Sequence, residues 1–128
     1  MKDEALSRTR LTEVARAIAK RKVSSEEVVR NSLGQLEKYG SSLNCLVRLF
    51  TENVLEAAKK ADQELASGNS RGRIHGVPPT HKDMFYRAGQ ITACGSKICE
   101  SYFPNNTATV LLNHEQEGAL DLCRLNMV

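Results

Sequence analysis

Apolar and polar positions divide the chain into a helical first half and a mixed second half. In LTEVARAIAK, Leu11, Val14, Ala15 and Ile18 recur at helical spacing, which predicts one apolar face, with Thr12 as its N-cap. VSSEEVV predicts a second helix more sharply. Ser24 stands three residues before Glu27 as a capping box, and Val23 and Val28 take the positions of a hydrophobic staple. Val29, Leu33 and Leu36 extend that buried stripe, and Gly40 closes it. LNCLVRLF alternates, with Cys45, Val47 and Leu49 on one side, and predicts a short strand. A third helix is expected next, capped by Thr51, with Leu55, Ala58, Ala61 and Leu65 inward and Gly68 at its end.

SGNSRGR, residues 67–73, is a loop of small residues, too short to separate two domains. An extended segment is expected near Thr80 to Asp83, then a loop through Gly89 to Ser96, a short helix starting near Thr107, and the terminal ALDLCRLNMV. Helices alternating with short extended pieces predict an α/β architecture. The chain contains no internal repeat and no low-complexity tract.

Composition narrows the classes of function. At 128 residues the chain has the length of one domain. Eighteen Lys and Arg against fifteen Asp and Glu give a net charge of only +3, without a concentrated basic stripe, so no direct nucleic-acid partner is expected. No apolar run approaches the ~20 residues that cross a bilayer, and MKDEALSRTR lacks the apolar centre of a signal peptide, so no membrane partner is expected either. Cys45, Cys94, Cys99 and Cys123 form no C-x-x-C pair and read as reduced thiols of a cytoplasmic protein. His75, His81, His114, Cys94 and Cys99 match no compact ligand spacing, so loop and core roles are expected for them and no metal. Phe85 and Tyr86, beside a strand, are expected in the core ahead of a substrate pocket.

The candidate chemistry lies in RIHGVPPTHKDMFYRAG, residues 73–89. An arbitrary lysine is a solvated surface residue. Lys82 instead follows Gly76, Pro78 and Pro79, which restrict the backbone, and precedes Met84 and Phe85. Such a setting would desolvate the ammonium and lower its pKa, and a lysine so depressed can act as a base near pH 7.

GRIHGVPPTHKDMFYRAG, followed by TACGSK and by NNTATVLL and EGALDLCRLNM, resembles the amidase signature family of serine hydrolases. The wording is similar to the stand-alone amidases that carry an H-G-V-P-x-x-x-K-D-M-F-Y segment, and the leading helices from Leu11 resemble that family's in order. The resemblance implies the N-terminal helices and first strands of an amidase-type mixed sheet covered by helices. It places residues 1–128 in the N-terminal portion of a single amidase domain. Residues 1–10 would be a flexible leader, 11–66 a helical region and 74–128 the start of the α/β core. The implied chemistry is hydrolysis of amide C–N bonds through an acyl-serine intermediate, by a Ser, a second Ser on a cis peptide bond, and a Lys. Lys82 takes the position of the terminal base and Asp83 an orienting one. A small amide is the implied substrate, with no metal or organic cofactor.

The two serines belong to a Gly/Ser-rich block that these 128 residues do not contain. Ser96 reads as a loop residue beside Gly95, and Ser24 as a helix cap. The expectation is therefore a truncated fragment, inactive alone because such groups act as a unit. Such a fragment would expose strand edges and self-associate or take up a complementary chain. Two other readings stay open: a fragment resembling the glutamine-dependent amidase component of tRNA-dependent amidotransferases, their A-subunit, and a non-catalytic α/β fragment that binds a partner. Departures from the family pattern fall in the second half. His114 stands on a buried helix face, Glu117 replaces alanine, Cys123 replaces glycine, Asp121 interrupts an apolar strand, and Pro79 removes a backbone donor. An unpaired carboxylate at Asp121 would cost several kcal/mol, ~3 or more.

Overall fold

The structure, a computed structural model, describes residues 6–127. Among the described residues, helices α1 (Leu11–Ala19), α2 (Ser25–Tyr39), α3 (Thr51–Ala66) and α4 (Thr109–Gln116) accompany the short strands β1 (Leu46–Leu49), β2 (Thr80–Lys82) and β3 (Cys123–Leu125). The sheet order is β1-β3-β2. β1 runs antiparallel to β3, whereas β2 runs parallel to it, as a strand–helix–strand crossover through α4 requires. Pairing continues before β2, where Leu120 and Leu122 donate their N–H groups to the carbonyls of Val77 and Pro79. Pro79 thus stands just outside the strand and pairs through its carbonyl.

The α2 cap forms as its sequence predicts. The Ser24 hydroxyl accepts from the Glu27 N–H at 3.0 Å, and the Glu27 carboxylate accepts from the Ser24 N–H at 2.7 Å. Asp62 of α3 adds a second cap, accepting from the N–H groups of Ser25 and Glu26. Two other expected caps do not form. α1 starts from Arg10, whose N–H meets Glu13, so Thr12 lies inside the helix. α3 starts at Thr51 from an uncapped Phe50, whose N–H is held by the Leu122 carbonyl. α4 starts at Thr109 because the Thr107 hydroxyl is engaged by the Ala88 N–H.

The alternation expected for β1 also shifts. A register irregularity between Leu46 and Arg48 turns Leu46 and Leu49 toward the core and leaves Val47 exposed. Two apolar clusters result. One joins Val29 and Leu33 of α2, Val54, Ala58 and Ala61 of α3, and Leu120, Leu122 and Cys123 beneath the sheet. The other joins Leu6, Val14, Ala15, Ile18, Val23, Val28 and Val77. Of the leader expected over residues 1–10, residues 1–5 lie outside the described residues, while Leu6 packs into the second cluster. Leu11, expected on the buried face of α1, is 52 % exposed.

Gly76 joins α2 to the segment leading into β2. Its φ is +75°, and a Cβ there would collide with the Ser25 hydroxyl oxygen. Only glycine supplies both the left-handed backbone and the close approach.

Candidate active site around Lys82

Lys82 is the last residue of β2. β2 and β3 run parallel, so Lys82 and the Asn126–Met127 segment after β3 emerge at the same, carboxyl end of the sheet. In α/β sheets that end is where ligands are bound. The Lys82 side chain is half-buried, and its ammonium has no hydrogen-bond or ion-pair partner among the described residues. Alternation along the strand sets Thr80 and Lys82 on one face and His81 and Asp83 on the other.

Asp83 is fixed on three sides. Its N–H donates to the Leu125 carbonyl at 2.9 Å, its carbonyl accepts from the Cys94 N–H at 3.1 Å, and its carboxylate meets Arg124 Nη1 at 2.9 Å. Asp83 and Arg124 are each only 2 % exposed. Arg124 Nη1 also reaches the Ile91 carbonyl at 2.8 Å and Thr92 Oγ1 at 2.9 Å, with Nη2 3.4 Å from Gln90 Oε1. The loop after Thr92 turns back through two consecutive left-handed residues, Cys94 (φ 52°) and Gly95 (φ 66°), and brings Gly95 against Met127.

A second polar network joins His81 to α4. The Asp121 carboxylate pairs with His81 Nδ1 and with Arg87 Nε, both at 2.9 Å, and Arg87 pairs with Glu115 of α4. Asp121 is therefore paired, and the cost expected of an unpaired carboxylate does not arise. Glu117 is exposed and accepts from the Arg73 N–H at 2.8 Å. His114 is half-buried. Cys123 is fully buried, and burial first, then the negative charge of Asp121, pushes its thiol up to about 12.

The remaining candidates have structural duties. His75 accepts from the Arg71 N–H and bonds the Ala61 carbonyl through Nε2 at 2.9 Å. No group of three or more His, Cys, Asp or Glu is placed to hold a metal ion among the described residues. Ser96 caps the short 3-10 turn Lys97–Cys99. Tyr86 is partly exposed and meets Tyr102 edge-on, ring centres 5.6 Å apart. No described helix is long and apolar enough to cross a membrane. Sequence reasoning missed Arg124. Its signal was a lone arginine in a strand expected to be buried, which requires a counter-ion.

Comparison with known proteins gives the family. The family model described as Amidase matches residues 27–128. The A-subunit of the glutamyl-tRNA(Gln) amidotransferase of Pseudomonas aeruginosa is 36 % identical over 91 % of this chain and 24 % of its own length. The candidate amidase AmiD of Mycobacterium bovis is 34 % identical over 98 % of this chain and 26 % of its own. The chain thus spans about a quarter of the length of these curated relatives. Among solved structures, a fatty acid amide hydrolase superposes with a TM-score of 0.90 at 26 % identity, covering 97 % of this chain and 22 % of that one. An amidase family protein of Bacillus anthracis superposes at 0.83 with 27 % identity, covering 98 % and 25 %. The chain belongs to the amidase family.

Proposed function

We propose that this chain carries the base of an amide-hydrolysing site, with Lys82 as the residue that takes the proton in acyl transfer. The carrying observation is the placement of Lys82. It ends β2 at the carboxyl edge of a parallel strand pair, half-buried, with an unpartnered ammonium and with Asp83 beside it anchored on three sides. A base needs that combination of a fixed backbone and an uncommitted nitrogen. In the family resembled, the proton comes through a cis-peptide serine from a nucleophilic serine, which forms the acyl-enzyme on a small amide. Neither serine has a counterpart in these 128 residues, so the chain by itself is inactive. The test is release of ammonia from small amides by the purified chain beside a Lys82→Ala control. Equal, background release is expected, and release above the control would contradict the inactivity of the chain by itself while assigning that activity to Lys82.

A second reading, that these residues form part of the amidase component of a tRNA-dependent amidotransferase, is favoured by the 36–38 % identity to such proteins. The HKDMFYRAG wording favours a stand-alone amidase. Binding of a purified partner chain of such an amidotransferase would decide for the second.

A further inference from the structure

We propose that Arg124 is a positioning residue for Lys82, acting from the neighbouring strand through Asp83 and the Gln90–Thr92 segment. The inference rests on the reading of Lys82 as the base. Arg124 is fully buried, and its guanidinium meets three groups on two separate pieces of chain: the Asp83 carboxylate just past β2, and the Ile91 carbonyl and Thr92 hydroxyl of the 90–92 segment.

A buried ion pair contributes little net stability compared with apolar residues of the same volume; its directed contacts instead specify which groups meet and where. Here a single nitrogen, Nη1, lies within 2.9 Å of acceptors at both ends of the excursion between β2 and the Cys94–Gly95 turn. One end is Asp83, the residue that follows Lys82. The other is Thr92, whose own N–H is held by the Tyr102 carbonyl, two residues before the Cys94 N–H returns to the Asp83 carbonyl. Asp83 is thereby tied from its carboxylate, its N–H and its carbonyl, and Lys82 inherits a fixed exit from the strand. The Lys82 carbonyl is committed too, accepting from the Phe85 N–H. Without Arg124 the carboxylate of Asp83 loses its buried counter-ion and the 90–92 segment its anchor, so the strand end that presents Lys82 is released.

The test compares the full 128-residue chain with Arg124→Met and Arg124→Lys. Lysine acylation by N-hydroxysuccinimidyl acetate is quantified by peptide mass spectrometry, with Lys59 and Lys60 on the exposed face of α3 as internal references. Cys123, fully buried, reports global opening through its reaction with a maleimide. Arg124→Met is expected to raise acylation of Lys82 about fivefold or more while Cys123 stays protected. Arg124→Lys, which keeps a charge for Asp83 but loses the planar guanidinium and its Nη2 contact to Gln90, is expected to fall between. If Arg124→Met yields no folded chain, Arg124→Lys decides alone. Lys82 acylated at the wild-type rate in the folded variant overturns the proposal. So does a rise in Lys82 that Cys123 matches, since Arg124 would then serve the core at large. Acylation does not depend on catalysis. Hydrolysis by an active amidase carrying these residues that is indifferent to Lys82→Ala would therefore remove the reading of Lys82 as base and leave this result standing.

Discussion

Asp83 and Arg124 show how a single buried pair connects sequence to site. Each is a charge that the interior disfavours alone, and each is paired at 2.9 Å. Removing one partner strands the other, so Asp83→Ala is expected to destabilise the fold by about 3–5 kcal/mol. Asp83→Leu with Arg124→Met is expected to recover much of that loss, since apolar residues of similar volume replace such pairs well. Urea unfolding of the single and double variants measures both. Cys123 gives a pH dependence with a definite sign. Its thiol ordinarily titrates near 9.0 and is raised to about 12 in the fold. Below pH 9.0 the thiol is neutral both folded and unfolded, and its contribution is fully present. Between 9.0 and about 12 only the unfolded chain ionises it, so stability falls as pH rises. The urea midpoint of Cys123→Ala is expected to decline less steeply over that window than that of the wild type.

Among the elements, α2 is the one whose start the sequence states outright. Ser24 and Glu27 satisfy each other's N–H groups, and Ser24→Ala is expected to cost about 1 kcal/mol, read from thermal unfolding. Glu27 is held below the usual carboxylate range by the Ser24 N–H first and its hydroxyl second. The cap therefore contributes above that range and weakens as pH falls through the depressed value. The same rules misplace the start of α1, α3 and α4 for a common reason. Thr12, Thr51 and Thr107 are good local caps, but Glu13, the Phe50–Leu122 bond and the Thr107–Ala88 bond fix those starts from outside local sequence. β1 misleads likewise, because one irregularity exchanges its faces and no pattern of period two encodes it. Lys82 drew attention in the sequence because Gly76, Pro78 and Pro79 precede it and its segment resembles that of the amidase family. Arg124 and the His81–Asp121 pair were not, since their meaning depends on residues about 30 to 40 positions away in the chain.

At the scale of the molecule, the two apolar clusters leave surface uncovered. Leu11, Val14, Leu36, Val77 and Thr80 line an open groove beside α1 and α2, and β1 and β2 are the outer strands of a three-stranded sheet. Outer strands present unpaired backbone groups to any neighbouring chain. Sedimentation equilibrium across a range of loading concentrations is expected to reveal self-association of the chain on its own. A monomer at every concentration, unfolding in one sharp transition, would contradict that.

The central claim is that Lys82 is a catalytic base, and the direct measurement needs the rest of an amidase. Residues 6–127 are grafted into the fatty acid amide hydrolase in place of the portion they superpose on, and hydrolysis of a fatty acid amide is followed with and without Lys82→Ala. The account predicts hydrolysis by the graft and a fall in kcat of about 100-fold or more in Lys82→Ala, with KM little changed. A graft that hydrolyses the amide equally well with alanine at position 82 would contradict it.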